Sequence, residues 1–268
     1  MNTSIQLIVH GAAGRMGRRV VALASDDVEY QLTAAIDYHS NPLLGQDAGL
    51  LAGVAAIDVP LSSEWPEAAE AVIDFSLPTA VDDCVRASVE RKFPLVVATT
   101  GLSEQQKSDL AKAGESIPIV WAPSMSMAVN LTMKMTQQIT ETLKDVAGGI
   151  DVEIIERHHR FKADAPSGTA LRFGELIAEK MGGDVKQVHG REGETGERSS
   201  NEIGYHAIRV GDNPGEHTIV FGMMGERIEL NVAASNRDCY ASGALAAAKW
   251  LQGKPNGLYN MFDVLGLS

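Results

Sequence analysis

The sequence predicts an α/β chain: an amino-terminal parallel sheet wound with helices, then a smaller α+β part with a mixed sheet open on one face. Three observations predict it. Short apolar runs alternate with helical stripes through the first 126 residues, the pattern of parallel strands joined by right-handed crossovers. After Met127 the pattern becomes one long amphipathic helix, then a strand, a helix and further strands. An alanine-rich stretch, Cys239 to Leu251, reads as a helix that returns to the first part. The expected division is therefore residues 1–126 with 237–268 as one domain and 127–236 as the other.

In order along the chain, Ile5–His10 is a short apolar strand that ends in Gly11-Ala12-Ala13-Gly14-Arg15-Met16-Gly17, and Met16, Val20, Leu23 and Ala24 form a helical stripe behind it. Leu32–Ile36, Ala71–Phe75, Leu95–Thr99 and Ile117–Trp121 are further buried-strand candidates, and Ser103-Glu104-Gln105-Gln106 is a capping box that opens a helix. Leu131, Met135, Ile139 and Leu143 recur every four residues, so they should form the buried stripe of a long helix ended by Gly148-Gly149. Its methionines read as core. Ile150, Val152 and Ile154 alternate with Asp151 and Glu153, a half-buried strand. A helix after Ser167 carries Ala170, Phe173, Ile177 and Met181, and strands at Thr218–Phe221 and Arg227–Val232 flank a turn near Gly225. These suggest a largely antiparallel sheet whose open face supports packing between subunits. Gly190–Gly204 is the most loop-like region.

Composition narrows the function. The chain has 268 residues, 44% hydrophobic and 22% charged, which suits a globular core. A formal net charge of -12 argues against nucleic acid and anionic membranes as partners. Cys84 and Cys239, far apart and outside any ligand or redox motif, read as reduced thiols of a cytoplasmic protein. Met1–Leu7 is too short and polar for a signal peptide, and no apolar run is long enough to span a bilayer.

The glycine turn gains meaning from its place. Strand, glycine turn and helix make the first unit of a dinucleotide-binding fold, where pyrophosphate rests on the helix N-terminus. Asp37 follows Gly17 by 20 residues and ends the second strand, where a carboxylate meets the adenosine ribose. The motif departs from G-x-G-x-x-G, because Ala13 holds the second glycine position. A structural turn packing helix on strand is the bland alternative. Ala98-Thr99-Thr100-Gly101 and Ala122-Pro123-Ser124-Met125 each follow a parallel strand and should frame the nicotinamide half of the site.

The second centre is Glu156-Arg157-His158-His159-Arg160-Phe161-Lys162-Ala163-Asp164-Ala165-Pro166-Ser167-Gly168-Thr169-Ala170. A basic cluster in an acidic chain costs stability unless an anion meets it. Ser167 is a good N-cap, and Gly168 and Thr169 would offer unpaired N–H groups to a carboxylate or phosphate. One segment thus supplies an acid/base histidine, a fixed cation and an anion cradle. A solvated basic loop is the plain alternative. A zinc site from His158, His159, His189, His206 or His217 lacks a Cys or Glu to complete a motif, no Gly-Lys-Ser/Thr supports a P-loop NTPase, and neither cysteine has a nearby histidine in sequence for a thiol nucleophile. A sensor that binds NADH without turnover is a further alternative, but it needs no acid.

Gly14-Arg15-Met16-Gly17, Ala98-Thr99-Thr100-Gly101 and above all His158 to Ala170 resemble the 4-hydroxy-tetrahydrodipicolinate reductase (dihydrodipicolinate reductase) family of bacterial diaminopimelate and lysine synthesis. The likeness runs over nearly the whole chain and includes Gly190-Arg191-Glu192-Gly193, Gly196-Glu197-Arg198 and Gly215-Glu216-His217-Thr218. It implies a Rossmann-type domain, a substrate and tetramerisation domain, and a cytoplasmic homotetramer. It implies His158 as catalytic acid/base and Lys162 as second proton donor, with His159, Gly168 and Thr169 on the dicarboxylate substrate. Gly11, Ala12, Ala13, Gly14, Arg15, Met16, Asp37, Ala98, Thr99, Thr100, Ala122, Pro123, Ser124 and Met125 would contact the cofactor, NADH or NADPH. Many members carry Arg after the ribose carboxylate, where it meets the 2′-phosphate of NADPH; this chain has Tyr38. Asp37 would repel that phosphate, with Arg15 in partial compensation, so NADH is expected to serve at least as well. No resident metal is expected.

Overall fold

The computed structural model describes residues 4–268; of the segment Met1–Leu7, residues 1–3 lie outside it. The chain divides into two compact units, one running to Met127 and resuming at Arg237–Ser268, the other Ala128–Asn236. The first contains β1 (Ile5–His10), α1 (Arg15–Asp26), β2 (Tyr30–Ile36), α2 (Ala48–Ala52), β3 (Leu61–Ser62), β4 (Ala71–Asp74), α3 (Pro78–Arg91), β5 (Leu95–Val97), α4 (Glu104–Ala113) and β6 (Pro118–Trp121). The second contains α5 (Met127–Leu143), which starts at the crossing, then β7 (Asp151–His158), α6 (Gly168–Met181), β8 (Lys186–His189), β9 (Glu202–Arg209), β10 (Glu216–Met223) and β11 (Glu226–Ala233). The chain then returns to the first unit with α7 (Asp238–Trp250), β12 (Gly257–Tyr259) and α8 (Met261–Val264).

The first unit is a seven-stranded parallel sheet in the order β12-β6-β5-β4-β1-β2-β3. Its strands are apolar on both faces because both are covered. Val9, Ile73 and Val96 pack with Val20 and Ala24 of α1 and Ala244 of α7 on one side. Ile8, Val72 and Leu95 pack with Cys84 of α3 and Leu110 of α4 on the other. The chain winds from β1 one way through β2 and β3, then the other way from β4, so the switch point lies between β1 and β4. Ligands bind outside the carboxyl ends of strands at such a point. The capping box opens α4 as expected: Ser103 accepts from the Gln106 N–H and Gln106 reaches back.

The second unit is a five-stranded sheet, β11-β10-β7-β9-β8. It is mixed, as expected, but not largely antiparallel. β10 runs antiparallel to β11 and β7, whereas β7–β9 and β8–β9 are parallel. The parallel half arises because α6 and the segment between His189 and Glu202 act as crossovers. β8 and the start of β9 fell in or beside sequence that reads as loop. One sheet face buries Val152, Ile154, Ile203, Tyr205, Ile219 and Phe221, while α6 buries Phe173 and Ile177. The other carries half-buried Glu153, Ile155, Thr218 and Val220.

The α5 stripe is corrected. Leu131 and Met135 are exposed at 46% and 45%, and the buried positions are Val129, Asn130, Met133, Thr136 and Thr140. The two threonines can go inside because their hydroxyls donate to the Met133 and Thr136 carbonyls, each at 2.7 Å. Met133 is core, but Met127 and Met135 are exposed.

Candidate active site

The glycine-turn cluster of the first unit is built at the end of β1. Gly11 has φ +74°, and a Cβ there would stand 2.8 Å from the Phe75 carbonyl oxygen, so only glycine fits. A Cβ on Gly17 would meet the Gly11 carbonyl oxygen at 2.1 Å, so Gly17 serves the packing of α1 on the turn. Gly14 is the N-cap of α1 and has no side chain to occupy the first-turn donors. Those N–H groups, with exposed Arg15 and half-buried Met16 among them, are placed to receive an anion. The Ala13 N–H donates to Asp37 Oδ2 at 2.9 Å, and Asp37 Oδ1 accepts from the Tyr38 N–H and Asn41 Nδ2, each at 3.0 Å. The Asp37 carboxylate is thus held against the glycine turn. Tyr38 beside it is 58% exposed.

The other loops end neighbouring strands. Ala12, Ala98, Ala122 and Met125 are buried, and the N–H groups of the three alanines bond the Ile36, Asp74 and Val97 carbonyls; Thr100 and Pro123 are exposed and Ser124 half-buried. The Thr99 hydroxyl donates to Asp74 Oδ2 at 2.6 Å, and His10 Nδ1 lies 2.7 Å from Asp74 Oδ1. Sequence reasoning missed this buried network, which ties the ends of β1 and β4 to the loop after β5. Only the position of His10 beside the turn hinted at it. Burial pushes up the thiols of Cys84 and Cys239, the opposite of what a nucleophile needs.

A second cluster of candidate residues stands at the end of β7. The period of two that buries Val152 and Ile154 continues to Glu156, wholly buried, and His158, 7% exposed. His158 Nδ1 is 2.6 Å from Glu156 Oε2. A carboxylate only accepts, so Nδ1 carries the proton and Nε2 faces the other way. The ring of His217, on β10, meets His158 edge-on at 5.2 Å. A Cβ on Gly215 would lie 3.0 Å from His158 Nε2. Its absence leaves space at that atom.

Arg209, at the end of β9, grips Glu156 through both terminal nitrogens, at 2.8 and 2.7 Å. The Ser167 N–H donates to Glu156 Oε1 at 3.1 Å. Burial pushes the Glu156 carboxyl up, but the bonds from Arg209 and His158 outweigh it and hold it below 4.5. Burial is also the largest influence on His158 and pulls it below 6.5 despite Glu156. Burial pulls His217 down to about 4, so the ring is neutral, and its Nε2 shares a hydrogen bond with the Ser167 hydroxyl at 3.2 Å.

Lys162 follows on the loop, its Nζ 2.9 Å from Asp164 Oδ1. His159 is half-buried, and its Nδ1 has no hydrogen-bond partner among the described residues. Ser167 caps α6 and accepts from the Ala170 N–H, as its sequence position suggested. Gly168 and Thr169 form the open first turn, and a Cβ on Gly168 would meet nothing within 4 Å. The second unit therefore brings His158, His159, Lys162, Gly168 and Thr169 into one structured segment, and the first collects its predicted residues at one sheet end. Glu156, Arg209, His217 and Gly215 were missed as site residues. Glu156 was findable from the strand period; Arg209 was not, because only the start of β9 fell in the region read as loop and no strand was read over the rest.

Models of the dihydrodipicolinate reductase N-terminus and C-terminus match residues 5–125 and 128–265. The chain belongs to the dihydrodipicolinate reductase family. It is 69% identical to the 4-hydroxy-tetrahydrodipicolinate reductase of Rhodopirellula baltica, over 98% of this chain and 97% of that one. It is 43% identical to the enzyme of that name from Syntrophotalea carbinolica, over 98% and 99%. The dipicolinate-bound dihydrodipicolinate reductase of Paenisporosarcina sp. TG-14 shares the fold, with TM-score 0.77 and 24% identity over 97% of this chain and 98% of that one. Family membership makes the first unit a Rossmann-type, pyridine-nucleotide-binding one.

Proposed function

We propose that this chain performs the reaction its relatives are named for: reduction of 4-hydroxy-tetrahydrodipicolinate to tetrahydrodipicolinate in diaminopimelate and lysine synthesis. The observation that carries the reading is a buried imidazole, His158, on the same short segment as the Lys162 ammonium and the open first turn of α6. That set suits a dicarboxylate that must also be protonated. A sensor without turnover would have no use for it.

The substrate is a cyclic hydroxylated imine with two carboxylates. It loses water, accepts hydride at C4, and the resulting enamine takes a proton at carbon. A reduced nicotinamide supplies the hydride. His158 supplies the proton from Nε2, help typically worth ~10²–10⁴-fold. Burial keeps its ligand-free form mostly neutral near pH 7, and an arriving dicarboxylate favours the imidazolium. Lys162, the second proton donor, leaves Asp164 for the substrate and offsets charge that builds as hydride arrives. His159 and the N–H groups of Gly168 and Thr169, with the Thr169 hydroxyl, hold carboxylates.

The glycine turn, Asp37 and the loops Ala98–Thr100 and Ala122–Met125 hold the cofactor. Asp37, fixed by three donors, suits an unphosphorylated ribose, and Tyr38 brings no positive charge for a 2′-phosphate. NADH therefore serves at least as well as NADPH. The open face of the second sheet joins copies into a homotetramer, and the setting is the cytoplasm. No described helix is long and apolar enough to cross a membrane.

The test is a steady-state assay with each cofactor, on substrate freshly made by the preceding aldolase condensation. Nicotinamide absorbance falls with wild type. His158→Gln or Lys162→Ala lowers kcat by about 10²-fold or more and leaves NADH affinity nearly intact. Near-wild-type turnover by either variant overturns that residue's role, and kcat/KM for NADPH far above that for NADH overturns the cofactor reading.

A further inference from the structure

The carboxylate behind His158 is more elaborately held than a structural contact requires. Glu156 is 0% exposed and receives His158 Nδ1, both terminal nitrogens of Arg209 and the Ser167 N–H. Arg209 also donates to the Asp164 carbonyl at 2.6 Å. In the parallel register His158 stands opposite Arg209. The pair therefore joins the end of β7, the end of β9, the Lys162 loop and the start of α6. Burying a charge is costly even when it is paired, and a neutral amide could hold loop and cap alike. A full carboxylate on Nδ1 does something an amide does not: it favours the imidazolium and selects which nitrogen faces the substrate.

We propose that Glu156 and Arg209 are positioning residues that make His158 Nε2 the atom that exchanges its proton and set how tightly it holds it. The inference rests on His158 being the acid. The groups facing the imidazole act as follows. Glu156, from its own strand, strengthens proton binding. Arg209 from β9, Lys162 from the loop and burial weaken it. His217 from β10 is neutral at working pH, and Ser167 from α6 carries no charge. Asp164 acts at one remove, on Lys162. Arg209 thus opposes the proton directly while it keeps Glu156 ionised.

The signs give the test. The active acid is the imidazolium, so activity falls as pH rises past its titration. Glu156→Gln moves that alkaline fall of kcat to lower pH by about one unit or more. Arg209→Gln moves it to higher pH. Glu156→Asp and Arg209→Lys keep the charges, so the fall stays within a few tenths of its wild-type position even where kcat drops. NADH affinity is unchanged throughout. A merely structural pair predicts lower activity with the fall in one place for all four variants, and that result overturns the proposal.

If Glu156→Gln does not fold, nitrogen NMR of labelled histidine in the wild type decides. The neutral ring must carry its proton on Nδ1, and finding it on Nε2 overturns the proposal. The NMR result does not depend on turnover. An intact Nδ1–H form beside a fully active His158→Gln would therefore sink the acid assignment and not the geometry.

Discussion

At the scale of single residues, the proposed acid depends on one missing side chain. Gly215 has φ +149°, and a Cβ there would press on His158 Nε2 at 3.0 Å. Its neighbours fix it firmly, since its N–H donates to Asn213 Oδ1 and its carbonyl accepts from the Ala234 N–H. Gly215→Ala therefore cannot swing clear. The methyl occupies the space at the working nitrogen, and the backbone strain costs roughly 1–3 kcal/mol. We expect kcat to fall by about tenfold or more, the equivalent of ~1.4 kcal/mol in the barrier. NADH binding, which belongs to the other unit, should not change. Steady-state kinetics beside a cofactor titration checks it, and turnover within twofold of wild type would mean that Nε2 is not the atom in use.

At the scale of elements, sequence and structure part where periodicity misleads. β1, β2, β4, β5 and β6 were legible because each is a short apolar run, buried on both faces of the sheet. α6 was legible from Ser167 and its apolar spacing, and the capping box marked the start of α4. β3 and β12, of two and three residues, are too short to show any period. β8 and β9 were hidden by a different cause. The segment between them is charged and leaves only Ile203 and Tyr205 of β9 as buried apolar residues: Arg191 and Arg198 from that segment clasp Glu153 of β7, and its carboxyl is driven down to about 2, the arginines and His206 outweighing burial. Such a network leaves no hydrophobic signature.

α5 is the instructive failure. Leucine and methionine at every fourth position outweigh threonine in any hydropathy reading, yet threonine lies inside because it bonds its own helix. The prediction is direct. Met133→Ala should cost ~2–5 kcal/mol through lost packing, while Leu131→Gln should stay within about 0.5 kcal/mol. Urea midpoints for the second unit rank them, and equal costs would restore the stripe read from sequence.

At the scale of the whole molecule, the two units should respond differently to acid. The three tryptophans, Trp65, Trp121 and Trp250, all lie in the first unit, whereas the most strongly displaced histidine, His217, lies in the second. Burial holds His217 down to about 4 in the folded chain against 6.5 for an exposed imidazole. Between those values the unfolded chain binds a proton that the folded one refuses, so stability is full above pH 6.5 and falls as pH drops toward 4. A shift of that size corresponds to about 3 kcal/mol at one titrating site. His158, also lowered, adds to the loss in the same direction. Glu153 contributes later, since its stabilisation disappears only as pH falls from 4.5 toward 2. The second unit should thus loosen between pH 6.5 and 4.5 while tryptophan fluorescence, reporting on the first unit, changes little. Amide exchange in Glu216–Met223, corrected for intrinsic rates, measures it. Exchange there should quicken on acidification in the wild type and much less in His217→Gln, which keeps an acceptor for Ser167 but cannot titrate. Equal acid sensitivity in the two proteins would mean that the buried imidazole is not what couples this unit to pH.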